Sequence, residues 1–241
     1  MTKQFTVWHH DKIGSTNDEA RRLAVGGAPH GTVVHADQQT AGRGRLSHSW
    51  FSPPGNLYVS ILLRTGLSAA RSGELSFLAA LAVADTVEVL LPRQIRAMLK
   101  WPNDVIINGA KIAGILLEQV DEATIMGIGL NVLEAPSNAA YKATTIVANG
   151  GIASVDDARD ILLDSLGQHL STWQTNGFAP IRVQWLNRSY PIGAAIRASS
   201  AGELVVGHFA GLDLDGALLL DTPFGRQRIL AGEVVPAERS H

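Results

Sequence analysis

Apolar and polar positions along this chain fall into two rhythms, helical in some stretches and alternating in others. Near the start, "STNDEARRLA" sets Ser15 and Thr16 three residues ahead of Asp18 and Glu19. That capping-box pattern opens a helix and predicts side-chain capping at its first residue. "GTVVHAD" reads as a short strand running into a Gly/Arg loop, and "NLYVSILLR" as another strand. "GELSFLAALAVADTVEVLL" is a long apolar helix stopped by Pro92. Strands follow: "IRAMLKW", then "DVIINGAKIAGILLEQV" folded back at Asn108-Gly109, then "TIMGIGLNV" alongside. Asn-Gly is a strong hairpin signal because both residues tolerate positive φ. "SVDDARDILLDSLGQHLSTW" is a capped amphipathic helix, and "APIRVQWLN" a short one.

From about Pro191 the texture changes to short strands, "AAIRAS", "ELVVGHFAGL", "GALLLD" and "RQRILAGEVV", with Gly or Asp at the joints. The tail therefore reads as a small β-barrel. Helices mixed with adjacent antiparallel strands make the main body α+β rather than doubly wound. The expected architecture is a mixed, largely antiparallel sheet flanked by helices over residues 1–188, with the barrel over 189–241.

The chain has 241 residues, 46% hydrophobic and 17% charged, enough for a sizeable core. The formal net charge of -2 gives no basic field for bulk nucleic-acid binding. Zero cysteines exclude disulfides, thiolate metal sites and cysteine nucleophiles. No secretory signal is visible, and no apolar run reaches the ~18 residues of a membrane span. A soluble cytoplasmic protein is expected.

Several kinds of chemistry are missing. There is no GxxxxGK[ST] loop, no HExxH and no GxSxG. "GIGLNV" has GxG but no helical pattern after it, so a dinucleotide fingerprint fails. Three stretches remain. "AGRGRLSHSW" interleaves Gly42 and Gly44 with Arg43 and Arg45 ahead of Trp50. Glycines let a backbone approach a ligand closely, and arginines supply forked donors for carboxylate or phosphate. "KWPNDVIINGAKIAGILLE" puts Lys111 just after a tight hairpin, where it can project over a pocket. Gly114 in mid-strand predicts a close approach to the backbone. "STN" offers hydroxyls and free N–H groups at a helix start.

Each stretch by itself reads equally well as a turn, a solvated lysine or a cap. In order, they resemble the biotin–protein ligases. The resemblance rests on "STN" (Ser15, Thr16, Asn17), "QTAGRGR" (Gln39, Gly42, Arg43, Gly44, Arg45), Trp50 and "FSPPGNLYVS". It continues through "KWPND" with Asn103 and Asp104, "KIAGILLE" from Lys111, "GIGLNV" with Asn131, and "GLDLDGALLL" in the tail. It spans nearly the whole chain.

The resemblance implies an SH3-like C-terminal barrel and a two-step reaction. Biotin is first adenylated by ATP with Mg²⁺, the metal being carried mainly by the ATP phosphates. The biotinyl group then passes to a lysine of a biotin carboxyl carrier protein domain of a carboxylase. By the same resemblance Ser15, Thr16, Asn17, Gln39, Gly42, Gly114 and the loop Arg43–Gly44–Arg45 contact biotin, with Lys111. Trp50, Asn103 and Asn131 lie on the nucleotide side with Arg45 and Lys111. Arg43, Arg45 and Lys111 supply charge to the reaction, and Asp104 orients the acceptor amine.

The family loop commonly reads GRGRxGRxW, whereas Ser47 and His48 stand here for glycine and arginine. Histidine is only partly charged near neutral pH, so loop closure is expected to differ. Only 14 residues precede Ser15, too few for a helix-turn-helix domain, so no DNA partner is expected. A homodimer through a free sheet edge is compatible with the pattern. The rival readings are a lipoate–protein ligase, whose Arg-Arg…Gly-Gly-Gly loop is absent, and a non-catalytic biotin- or nucleotide-binding module, which leaves the paired arginines and Lys111 unexplained.

Overall fold

The computed structural model describes residues 4–66, 69–137, 141–152, 154–200 and 203–236. The chain opens with β1 (Thr6–Ile13), α1 (Thr16–Val25) and β2 (Thr32–Gln39). Strands β1 and β2 are parallel, with the helix as crossover, and every other pair is antiparallel. Next come β3 (Leu57–Leu63), α2 (Ala69–Ser72), α3 (Glu74–Leu90), β4 (Met98–Lys100), β5 (Asp104–Ile107), β6 (Ala110–Val120) and β7 (Ala123–Leu130). Together they make a seven-stranded sheet in the order β1-β2-β3-β7-β6-β5-β4. The pattern of the first strand, "TVWHHDKI", is not apolar enough to be read as a strand. It lies on the sheet edge, where most of its side chains face solvent.

The hairpin between β5 and β6 turns at Asn108 and Gly109, with φ of 50° and 76°. Both central residues have positive φ, the geometry that Asn-Gly favours. Two helical layers cover the sheet. Helix α3 is apolar nearly all round and sinks into the main core with α4 (Val155–Asn176) and α5 (Phe178–Leu186). Helix α1 seals the opposite face through Ala20 and Ala24 against Val34, Leu62, Val120 and Ile125.

The tail forms β8 (Ala195–Ser200), β9 (Glu203–Leu212), β10 (Leu218–Thr222), β11 (Gly225–Ile229) and β12 (Glu233–Pro236). They pair antiparallel in the order β11-β10-β9-β8-β12. The apolar run "RQRILAGEVV" is thus two strands at opposite edges of the sheet. The core does not stop between the sheets: Ile196, Ala198, Phe209, Leu218 and Leu220 belong to the same buried cluster as α3. The Trp101 indole N–H donates to the Gly216 carbonyl at 3.1 Å, and Arg182 donates to that of Leu212 at 2.9 Å. The C-terminal sheet is therefore fixed against the end of the larger sheet where the Gly/Arg loop, the start of α1 and the β5–β6 hairpin gather.

Candidate active site

At that end a cleft of about 1660 Å³ opens between the N-terminus of α1, the loop after β2, the β5–β6 hairpin, β7 and the C-terminal sheet. Single-ligand pockets typically enclose about 300–1,000 Å³, so this one has room for two substrates side by side. Of the residues singled out in the sequence, Ser15, Thr16, Asn17, Gln39, Gly42, Arg43, Gly44, Arg45, Trp50, Asn103, Asp104, Lys111 and Gly114 all line it.

The floor is made of glycine. Across the β6–β7 pair, Gly114 sits opposite Gly129 and Leu116 opposite Gly127. A Cβ on Gly129 would lie 2.4 Å from the Trp50 indole nitrogen, and one on Gly114 would lie 2.9 Å from its ring. A Cβ on Gly127 would lie 2.3 Å from Asn17 Oδ1. The close approach expected at Gly114 is therefore made by the chain's own Trp50, whose ring rests on the strand backbone. The indole N–H has no hydrogen-bond partner among the described residues.

The polar end is prearranged. Gln39 Oε1 accepts from the Thr16 backbone N–H at 2.9 Å and from its hydroxyl at 3.0 Å, while Nε2 donates to Ser52 at 3.0 Å. Ser60 Oγ contacts both Thr16 Oγ1 at 2.8 Å and Asn17 Oδ1 at 2.5 Å, and Asn17 Nδ2 donates to Glu118 at 2.6 Å. Ser15 and Asn17 are buried beside them. The expected side-chain cap is absent: Ser15 is the N-cap residue by backbone geometry, yet its side chain makes no capping bond. Helix α1 starts at the predicted place, but its first N–H bonds go to Gln39 from another strand. A tertiary partner has replaced the local one.

The charged end is less uniform than the sequence suggests. The loop closes on itself as a hairpin, with Trp50 N–H bonded to the Gly42 carbonyl at 2.9 Å and Gly44 N–H to that of His48 at 2.7 Å. Residues Arg45–Ser47 form a tight turn at its tip, with Leu46 at φ 52°. Arg43 is gripped by Asp18 through two hydrogen bonds of 2.7 Å, with Glu118 3.6 Å away. Those bonds hold the Asp18 carboxyl below its usual range. Arg43 thus faces α1 with its charge already matched. Arg45 points inward and donates to neutral acceptors, Asn103 Oδ1 at 3.3 Å and the Gly232 carbonyl at 2.9 Å. Burial pulls its guanidinium below the ordinary value, opposed by Glu233 and Asp104. A desolvated cation with no carboxylate in ion-pair distance among the described residues is poised to attract an anionic ligand.

Lys111 is half-buried between Asp104 and two aromatic rings. Its Nζ is 2.6 Å from Asp104 Oδ1, 5.3 Å from the centre of the Trp50 ring and 5.1 Å from that of Tyr141. Asp104 Oδ2 receives a second ammonium, from Lys100 at 3.1 Å. One carboxylate against two lysines leaves a local excess of positive charge over the glycine floor. Asn103 is fixed by donating to the Ile115 carbonyl at 2.7 Å.

Asn131 differs from the others. It is buried just behind the cleft, donates to the Thr144 carbonyl at 3.1 Å, and does not line the opening. Lys111 N–H and carbonyl bond to the same segment, at Lys142 and Thr144, so Asn131 braces the strand that carries Lys111. Ser60, Tyr141 and Arg197 complete the site without a role expected from the sequence, and Lys100, the first residue of "KWPND", joins them as a second partner of Asp104. Ser60 had a faint signal, a lone polar residue in the apolar run "YVSILL". Arg197 had none. His48 lines the cleft, while the side chain of Ser47 lies outside the described residues.

Residues 11–133 match the biotin/lipoate A/B protein ligase family, and residues 192–235 match the biotin protein ligase C terminal domain. A biotin–[acetyl-CoA-carboxylase] ligase of Paracoccus denitrificans is 40% identical over 234 residues, covering 92% of this chain and 97% of that protein. The bifunctional ligase/repressor BirA of Bacillus subtilis (strain 168) is 36% identical over 94% of this chain and 72% of its own length. Among solved structures, the biotin protein ligase from Aquifex aeolicus in complex with biotin and ATP superposes with a TM-score of 0.86 at 27% identity, covering 96% of this chain and 99% of that one. The matched stretches hold Ser15 to Lys111 of the cleft and the C-terminal sheet, and the chain belongs to the biotin/lipoate A/B protein ligase family.

Proposed function

We propose that this chain is a biotin–protein ligase: it joins biotin to AMP and then to a lysine of a carrier protein. The observation that carries this reading is the pairing of Lys111 and Arg45 at one end of a cleft with the hydrogen-bonding set Thr16, Asn17, Gln39 at the other. Biotin has a carboxylate on a chain and a ureido ring that needs both donors and acceptors. The amide and hydroxyl residues supply both. The curated relative from Paracoccus denitrificans carries the same activity in its name, and the Aquifex aeolicus relative has been solved with biotin and ATP.

In the first step a carboxylate oxygen of biotin attacks the α-phosphorus of ATP. A P–O bond forms, the bond to the β-phosphate bridge breaks, and pyrophosphate leaves with the electron pair. Two anions meet, so charge stabilisation dominates the barrier. Lys111 and Arg45 supply it from a partly desolvated position, where it is worth more than in water. In the second step the acceptor amine attacks the acyl carbon, the C–O bond to AMP breaks, and AMP departs. No protein nucleophile is needed.

The residue roles follow the same reading. Ser15, Thr16, Asn17, Gln39, Gly42 and Gly114 hold biotin. Arg43 and Gly44 set the loop, Arg45 and Lys111 act on both substrates, and Trp50, Asn103 and Asn131 form or brace the nucleotide side. Asp104 already receives two alkylammonium groups, and an acceptor lysine would be a third of the same kind. Mg²⁺ is proposed to arrive on the ATP phosphates. Asp104 is bound by lysines, and the other carboxylates that line the cleft, Glu134 and Glu233, form no cluster with it among the described residues, so no step is assigned to the metal.

The carrier is proposed to be a biotin carboxyl carrier domain of a carboxylase. We further propose functional units at 1–188 and 189–241, and a cytoplasmic location. No described helix is long and apolar enough to cross a membrane. A second copy would pair at the edge strand β1 of the larger sheet, since the Leu99 N–H of β4 is taken by the Arg188 carbonyl.

Biotin-dependent exchange of labelled pyrophosphate into ATP tests the first step, with lipoate and octanoate in parallel. Exchange with biotin alone is expected. Exchange with lipoate instead would move the chain to the neighbouring ligase class, and no exchange would refute the proposal.

A further inference from the structure

On the far edge of the larger sheet, away from the cleft, β1 and β2 run parallel with His9 opposite His35. Residues two apart on a strand share a face, so His9 and Asp11 of β1 stand beside His35 and Asp37 of β2. Helix α1 packs on the other face, through Val34. One ligand atom each from His9, Asp11 and Asp37 lies within 4.8 Å of the others.

The charge on this patch is unbalanced. Like charges on neighbouring strands repel. The partner found for Asp37 is His9, at 2.8 Å, and no described lysine or arginine pairs with Asp37 or Asp11. Arg159, whose charge reaches His35, is taken up by Asp156 at 2.5 Å and Asp160 at 2.8 Å. Behind the three ligands sits His35, buried to 1% exposure, its ring 5.1 Å from that of His9. Neither nitrogen of His35 has a hydrogen-bond partner among the described residues. A buried imidazole without a partner is a costly arrangement unless something at the patch uses it.

We propose that His9, Asp11 and Asp37 bind a first-row divalent cation of the Zn²⁺ type, with the buried His35 ring beside His9 as the inner wall of the site. An imidazole with two carboxylates suits Zn²⁺ and its neighbours, whereas Mg²⁺ and Ca²⁺ favour oxygen-only shells. Zinc–ligand bonds of about 2.0–2.2 Å require the three atoms to draw together slightly, which exposed side chains on a strand edge do by rotation. The cation bridges the edge strand to its neighbour and cancels the carboxylate repulsion. The site is independent of the ligase cleft and needs no substrate.

The test is calorimetric titration of the full chain with Zn²⁺, with or without a large excess of Mg²⁺. One saturable equivalent is expected, insensitive to Mg²⁺, together with a rise in unfolding temperature. His9→Ala and Asp37→Asn should each weaken that equivalent on the order of 10-fold or more. His208→Ala, on the C-terminal sheet, should not. Circular dichroism establishes that each variant is folded, and Asp11→Asn carries the test should another variant fail to fold. Co²⁺ in place of Zn²⁺ should give ligand-field absorption in the wild type that these variants lose. No saturable equivalent, displacement by Mg²⁺, or binding unchanged by all three substitutions would overturn the proposal.

Discussion

The ammonium of Lys111 stands 2.6 Å from Asp104 Oδ1 while the Trp50 and Tyr141 rings each lie just over 5 Å away. A carboxylate and two aromatic faces thus hold one cation over a floor of glycine backbone. This fixes where positive charge is available before any substrate arrives, which is the condition for electrostatic catalysis without reorganisation.

Lys111→Ala should therefore cost adenylate formation a factor of about 100 or more, the scale of losing one preorganised stabiliser. Pyrophosphate exchange reads this directly. Near-normal exchange would remove Lys111 from the reaction.

Asp104→Asn separates the two steps. The neutral amide no longer attracts an acceptor ammonium, so transfer to the carrier should fall more than exchange does, by roughly 10-fold. Supplying preformed biotinyl-adenylate isolates the transfer. Full transfer activity in this variant would leave Asp104 with only the task of holding Lys100 and Lys111.

Gly127→Ala tests the floor. The added methyl would sit 2.3 Å from Asn17 Oδ1, and Asn17 is held in place by Ser60 and Glu118. Asn17 must move, so the KM for biotin should rise by about 10-fold or more while the KM for ATP changes little. Equal changes in both would place Asn17 elsewhere in the mechanism.

Asp85 offers a pH test outside the cleft. From α3 it accepts from Ser165 at 2.7 Å, contacts His169 Nε2 at 2.8 Å, and accepts from Arg188 at 2.6 Å. Burial pushes the carboxyl up, but these partners outweigh it and bring it down to about 2. A pKa lowered on folding stabilises the protein above the unfolded carboxylate value, here by about 2 kcal/mol. That contribution disappears as pH falls from about 4 towards 2. In urea unfolding, Asp85→Asn should cost at least this amount at pH 7, and the gap to wild type should narrow in the acid range. A pH-independent gap would contradict the assignment.

The sequence by itself determined most of the elements, because local chemistry is sufficient for them. Asn108-Gly109 supplies the two positive φ values of a tight turn, and the apolar run of α3 cannot be satisfied on a surface. It also determined which segments build the cleft, since their residue types and order are specific enough to indicate the family. Other features needed the tertiary structure. Ser15 was read as a capping residue, but the bonds at that helix start depend on Gln39, 23 residues beyond Thr16. Arg43 and Arg45 look equivalent in "GRGR", yet one is matched by Asp18 and the other faces the cleft. Strand β1 left little trace because most of its side chains face solvent, so its sequence carries no apolar alternation. The face shared by His9, Asp11, His35 and Asp37 exists only through strand pairing. Spacing along a chain fixes what one element can do alone. Which charges meet across elements is decided by packing, which no local pattern records.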